Sequence, residues 1–351
     1  MLRRLDLTQQ RGALDDVLPK PVDAGADVAD IVREILSDVR LNGDDAVEKY
    51  GQRFDKVEGD PTVAAEAIEA AFLGLDGKLR ASLELAWDRI LRFHQSELST
   101  PALFDDGGVV VEHRTVPVSR AGIYAPGGLA RYPSSVLMAA GAARAAGVPS
   151  LVLCCPPSPS GAIDEATLAA AYLAGITEVH AIGGAQAIGA MAYGTKRLKK
   201  VDVIAGPGNA FVAEAKRQVL GVVGVAAGFA GPSEVAVVVD DSVDPRFAAI
   251  DLMVQAEHGP DGIAWLIATS AEVLDAVDRA LADLVAEAPR RSAIEATFAS
   301  SGYAVLVRDA AQILQVCDVV AAEHLELLCR DARELAFQVN NAGAIFVGPF
   351  G

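Results

Sequence analysis

Cysteine and positive charge are scarce in this 351-residue chain, and each scarcity narrows the classes of function open to it. The four cysteines, Cys154, Cys155, Cys317 and Cys329, form neither a CxxC pair nor a disulfide framework, so reduced thiols and a cytoplasmic location are expected. Cys154 and Cys155 end the apolar run SLVLCC, where burial as small hydrophobes is the plainer reading and a nucleophile the minor one. With 30 basic against 47 acidic residues the net charge is −17. That excess argues against nucleic acid as the main partner, because a phosphate backbone needs a basic surface. The one basic cluster, Lys196, Arg197, Lys199 and Lys200, reads as a solvated loop ahead of a strand. No apolar run reaches the roughly 18 residues that a membrane span needs, since VLMAAGAARAAGV is interrupted by Arg144 and by glycines. The N-terminal MLRRLDLTQQRG has charge without an apolar stretch behind it, so no secretory signal is expected.

Apolar residues are plentiful at 52%, enough for a large core, and the length suits about two domains. From Val109 onward, short β-branched runs alternate with amphipathic stretches, the rhythm of strand, crossover helix and parallel strand. Strands are predicted at 121–124, 150–154, 178–182, 201–205, 234–239, 263–269, 303–307 and 344–347. The first 108 residues read as helices that pack on one of the sheets. A turn at 230–233 divides the remainder into two parts of similar rhythm, although no residue-level repeat links them. The predicted fold is α/β, with two incomplete Rossmann-like parallel-sheet domains and an N-terminal helical segment packed on one of them. The predicted boundaries are an arm at 1–26, a first domain of 27–122 plus 233–351, and a second domain of 123–232.

Three strand-to-helix turns are rich in glycine: GIYAPGG at 122–128, IGGAQAIGA at 182–190 and AGPGNAF at 205–211. Such turns let backbone N–H groups approach an anion at the carboxyl ends of parallel strands, an edge compatible with a dinucleotide. Taken singly, each is also an ordinary tight connection. The full GxGxxG fingerprint is absent, because Phe211 stands where the third glycine would fall.

A helix is predicted between Asp244-Pro245, an N-cap and N1 pair, and the stop Gly259-Pro260, with Phe247, Ile250 and Val254 at helical spacing. Gln255 and His258 then share one face of its last turn. An amide oxygen and a neutral imidazole can join in a divalent metal shell, although glutamine is an infrequent zinc ligand. The structural alternative is a helix end at which His258 bonds the last carbonyls while Gln255 is solvated. Of the five histidines, His258 and His324 each follow a glutamate, as His113 does, and an imidazole beside a carboxylate suits general base work. The structural reading of Glu323-His324 is an exposed helix start. His94, His113 and His180 are expected to pack or bond structurally.

Together the segments RLNGDDAVEKYGQRFD, RAGIYAPGG, IGGAQAIGAMAYGT, KVDVIAGPGNAFVAEAKRQV, AGPSEV, QAEHGPD, AEHLEL and GAIFVGPFG resemble the histidinol dehydrogenase family, in the family's order and nearly from end to end. The resemblance implies a homodimeric, zinc-dependent enzyme that oxidises L-histidinol through histidinal to L-histidine with two NAD+. By the same resemblance Tyr124, Gln186 and Asn209 look like NAD contacts. Ser233, Gln255, His258 and His324 look like substrate contacts, and Gln255 with His258 like half of a zinc shell. Glu323 and His324 look like the acid/base pair. Three departures stand out: Ala226, Ala227 and Phe229 precede AGPSEV, Ala322 stands where proline is common, and the sequence stops at Gly351, ahead of the family's remaining zinc ligands. These leave two alternatives to histidinol oxidation, namely a related NAD-dependent dehydrogenase of another polar alcohol and a non-catalytic binding protein.

Overall fold

Parallel strand pairing organises both halves of the molecule. A computed structural model describes residues 1–20, 28–57, 59–127, 131–158, 161–226, 233–259 and 262–350. The chain divides into two compact units, Met1–Asp23 with Gly231–Gly351, and Ala24–Ala230. After β1 (Arg3–Asp6), which belongs to the first of these, the chain enters the second unit.

The Ala24–Ala230 unit opens with α1 (Ala29–Asn42), α2 (Asp44–Tyr50), a π-helical turn Gly51–Asp55, α3 (Ala65–Gly74), α4 (Gly77–Ser96) and a hairpin of β2 (Ala102–Asp105) and β3 (Val110–His113). Alternation follows: β4 (Arg120–Tyr124), α5 (Pro133–Ala145), β5 (Ser150–Cys154), α6 (Glu165–Leu173), β6 (Glu178–His180), α7 (Gly184–Tyr193), β7 (Val203–Ala205), α8 (Ala210–Val219) and β8 (Gly224–Val225). The sheet runs β6-β5-β4-β7-β8 with every pair parallel. Counted within the unit this is the doubly wound order, in which the chain reverses its sense of travel between β4 and β7. Helices cover both faces, which is why β5 can be apolar without alternation.

The early helices complete this unit, whereas 27–122 was predicted to join 233–351. The reason lies in their apolar faces. Val32, Ile35, Leu36 and Val39 of α1 share a core with Ile188 and Met191 of α7. A Cβ on Gly189 would stand 3.2 Å from the Leu36 and Val39 side chains, tighter than ordinary contact, so glycine there eases the close packing of α1 on α7. On the opposite face, Ile68 of α3 and Leu83 of α4 share a core with Val136 and Leu137 of α5 and Leu168 of α6. Amphipathic periodicity shows that a helix has a face to bury but does not say against which sheet.

The Met1–Asp23 and Gly231–Gly351 unit continues with β9 (Glu234–Val239), α9 (Pro245–Ala256), β10 (Ile263–Ala268), α10 (Ala271–Glu287), α11 (Arg291–Ser301), β11 (Gly302–Leu306), α12 (Ala310–Val320), β12 (His324–Leu328), α13 (Ala332–Ala336) and β13 (Ala344–Val347). Its parallel sheet runs β1-β11-β10-β9-β12-β13. Apart from β1 at the edge, this is the same strand order as in the other unit, so the duplication absent from the residues is present in the topology. The predicted arm is partly a strand, and Leu7, Leu14 and Leu18 are buried behind it. Residues 21–26 of that arm, and Ala230, Gly231 and Pro232 of the predicted turn, lie outside the described residues.

Two expectations fail locally. Phe247, Ile250 and Val254 identified α9 correctly, yet they lie on its exposed side, and the buried side carries Ala248, Ala249, Leu252, Gln255 and Ala256. Small residues face the sheet because helix and strand backbones approach closely there. His324 opens a strand rather than an exposed helix, pairing in register with Val235 of β9 and Ala344 of β13.

Candidate active site

In the Ala24–Ala230 unit, Tyr124, Gln186 and Asn209 line one cleft of about 550 Å³ together with Phe54, Asp55 and Lys56. Each is delivered by a strand end or the helix that follows it. Tyr124 is the last residue of β4, Gln186 lies in the first turn of α7, and Asn209 caps α8 by accepting from the Val212 N–H at 3.1 Å. The cleft therefore opens at the carboxyl ends of β4 and β7, the reversal point of this sheet. Gly206 tightens it: with φ at +107°, its Cβ position falls 2.0 Å from the Tyr124 carbonyl oxygen, a gap that admits no side chain. Beneath the same turn the buried Lys216 ammonium donates to the Gly206 carbonyl, and burial pulls that ammonium below its ordinary range.

Asp55 gave no signal in the sequence, and it changes how the IGGAQAIGA turn is read. Its Oδ2 accepts from the Gly183 N–H and from Gln186 Nε2, both at 3.2 Å, while the Gly184 N–H donates to the Tyr124 hydroxyl at 3.1 Å. The start of α7 is thus neutralised by the chain's own carboxylate and phenol, groups that stand where an external anion was expected. Burial pushes the Asp55 carboxyl up and the two donors pull it part of the way back. Lys56, beside it, is one of two non-glycine residues with positive φ among the described residues. Gly128 of the first glycine-rich turn lies outside the described residues.

In the other unit, chemistry gathers at the amino ends of the strands. Ser233 precedes β9, its carbonyl accepts from the Ile263 N–H of β10 at 3.2 Å, and a Cβ on Gly262 would stand 3.4 Å from Gln255 Nε2. Glu323 Oε2 accepts from the Glu234 N–H at 3.4 Å and lies 3.8 Å from His324 Nδ1. The backbone of Glu323 is held by β13, whose Ala344 N–H donates to its carbonyl at 2.8 Å. A Cβ on Gly343 would fall 2.6 Å from that oxygen. His324 also faces the Phe346 ring at 5.9 Å. Burial first, and the charge of Glu323 last, push the Glu234 carboxyl above its ordinary range.

At the carboxyl ends of β9 and β12, where a doubly wound sheet ordinarily takes its ligand, Arg330 reaches Asp240 at 3.3 Å and Asp241 at 2.6 Å.

Gln255 lies in the last turn of α9, whereas His258, expected on that same turn, follows the helix past its C-cap Glu257. Gln255 is 6% exposed, which overturns the solvated reading, and its Nε2 has no hydrogen-bond partner among the described residues. A buried amide N–H left unpaired is costly. His258 is exposed, and its Nδ1 lies 2.9 Å from the Val254 carbonyl and 3.3 Å from that of Gln255. A carbonyl at Nδ1 requires the proton there and leaves the Nε2 lone pair directed elsewhere, the tautomer that a metal-bound imidazole needs. Among the described residues no three of His, Cys, Asp and Glu cluster as a metal site.

The remaining candidates are structural. His180 is buried between Thr62 and Glu178, and His94 pairs with Glu97 at 2.6 Å. Cys154 and Cys155 are buried and burial raises both thiols, Cys155 to about 12, which removes them as nucleophiles near neutral pH. Arg197 of the basic cluster pairs with Glu48 and with Asp60. No helix among the described residues is long and apolar enough to cross a membrane.

The sequence pattern of the histidinol dehydrogenase family matches residues 19–351. The histidinol dehydrogenase of Rhodospirillum rubrum is 45% identical over 340 residues, covering 93% of this chain and 76% of the relative. That of Chromobacterium violaceum is 42% identical over 324 residues, covering 91% and 74%. The crystal structure of histidinol dehydrogenase from Elizabethkingia anophelis matches with a TM-score of 0.94 at 31% identity, over 100% of this chain and 81% of that one. These likenesses define an α/β oxidoreductase. Within that class, the chain belongs to the histidinol dehydrogenase family.

Substitution of Gly206 by alanine adds both backbone strain and a collision with the Tyr124 carbonyl. Gly206→Ala should lose about 2 kcal/mol or more in urea unfolding; equal stability would show that this close approach is not held in solution.

Proposed function

We propose that the chain oxidises L-histidinol through histidinal to L-histidine, the closing steps of histidine biosynthesis, with NAD+ as hydride acceptor and zinc orienting the substrate. The observation that carries this reading is the meeting of Ser233, Glu323 and His324 with the unpaired Gln255 amide at one edge of a sheet, in a chain of this family. It favours a catalyst over a binding protein, because simple binding gives no reason to bury an unpaired amide beside a carboxylate and imidazole pair.

His324 acts as general base, taking the alcohol proton in the first oxidation and the hydrate proton in the second. Imidazole suits this work because it exchanges protons in the neutral range. Glu323, whose Oε2 also accepts from the Glu234 N–H, draws a proton from water so that its oxygen adds to the aldehyde carbon. The raised Glu234 carboxyl lies beside it and holds its proton to higher pH than an exposed glutamate would. Ser233 contacts the substrate at the same edge. Gln255, through its amide oxygen, and His258, through Nε2, would hold zinc, which when bound anchors the imidazole and amine of histidinol and places its carbinol carbon for reaction. Tyr124, Gln186 and Asn209 bind NAD+, which accepts the hydride in each oxidation. Asp55 fixes the Gln186 amide in that cleft.

A homodimer is part of the proposal. The hairpin strands β2 and β3 are exposed along their whole length and carry Leu103, Phe104, Val110 and Val111. Two strands alone are marginal in water, and a symmetric partner would bury them. The cytoplasm is the proposed setting, in keeping with four free cysteines.

His324→Asn should lower NADH formation from L-histidinol by about 10²–10⁴-fold with an unchanged circular dichroism spectrum; full activity would remove the base assignment. Faster turnover of another polar alcohol than of histidinol would instead identify a paralogue. Gln255→Ala should weaken zinc binding by about tenfold or more in a chelator competition, and unaltered affinity would take Gln255 out of the shell. Sedimentation velocity should give twice the chain mass, and a monomer at working concentration would refute the dimer.

A further inference from the structure

Glu326 is the third residue of β12, two after His324 and therefore on the same face of the strand. Its neighbours in register are apolar, Val237 on β9 and Phe346 on β13. From α9 the group that meets it is Asp251, which stands one helical turn before Gln255 on the same side of that helix. The ionisable groups facing the Glu326 carboxyl are thus Asp251 across the layer and His324 along its own strand. Among the described residues no Lys or Arg pairs with it, and its Oε2 is buried without a hydrogen-bond partner.

A partly buried carboxyl that faces a second carboxylate resists ionisation. Burial first, and the Asp251 carboxylate second, hold Glu326 up to about 8. Near neutral pH it therefore keeps its proton, and a protonated carboxyl facing a carboxylate can donate to it in a charge-assisted bond.

We propose that Asp251 and Glu326 are a positioning pair whose shared proton ties the last turns of α9 to β12, and so sets Gln255 relative to His324. The proposal rests on the reading of Gln255 and His324 as site residues. Its direction with pH follows from linkage: a carboxyl raised on folding contributes fully below the ordinary glutamate range, and its contribution is lost as pH rises through about 8. Above that, two negative charges face each other across the layer and the tie is broken.

Amide hydrogen exchange of the full chain tests the pair without reference to metal or turnover. Corrected for the intrinsic rise in exchange with pH, peptides covering α9 and β12 should exchange at least about fivefold faster at about pH 9.5 than at about pH 7. Glu326→Gln cannot ionise and keeps one donor for Asp251, so it should show no such loosening. Asp251→Asn removes the same repulsion and serves if the first variant fails to fold. The alkaline fall of kcat/KM should move to higher pH in both variants, which a purely structural role would not produce. Unchanged exchange in the wild type across this range, or the same alkaline loosening in both variants, overturns the proposal. Absence of NADH formation in the wild type would count against the proposed function and leave the exchange result standing.

Discussion

Right-handed crossover between parallel strands is the constraint on which the rest of the structure depends. A helix that joins two parallel strands must run back along the sheet, so its last turn arrives at the amino end of the strand that follows. For α9 this delivers Gln255 and His258 to the start of β10, beside the Ser233 carbonyl and the Gly262 position. β9 and β12 are adjacent and parallel, so the same edge also receives Glu234, Glu323 and His324. Residues far apart in the chain are gathered at one end of a sheet by strand direction alone.

The two units use the same strand order in opposite ways. Around β4 and β7 the carboxyl edge is open, and the cleft holds Tyr124, Asn209 and Gln186. Around β9 and β12 that edge carries the ion pairs of Arg330 with Asp240 and Asp241, and the site candidates collect at the amino edge. A carboxylate at the start of α7 makes a related point. Asp55 supplies inside the protein the negative charge that a helix start attracts, so the cleft is not a standard pyrophosphate cradle.

Polar groups left short of partners are informative because nearly all the others are satisfied. The unpaired Gln255 amide and the unpaired Glu326 oxygen lie on elements that touch, one at the edge of the sheet and one a step behind it. Desolvation makes each costly on its own. The first calls for an acceptor opposite its N–H, and the second for a proton held between two acids.

Much of the fold was legible in the chain itself. Continuous β-branched runs such as EVAVVV mark buried parallel strands, and Asp244-Pro245 marks a helix start, because both depend on backbone preferences and burial that act over a few residues. The residues of the site were legible as types: an imidazole after a glutamate, an amide one turn from an imidazole, glycines at strand ends. Other matters were not local. The sequence could not say that α1, α3 and α4 pack on the sheet of β4–β8, that HLELL is a strand, or that Asp55 fills the start of α7. Each of these is settled by which surfaces remain to be covered once the strands have paired, and that choice belongs to the assembled chain because the energy of burial depends on the partner face and not on the segment that carries it.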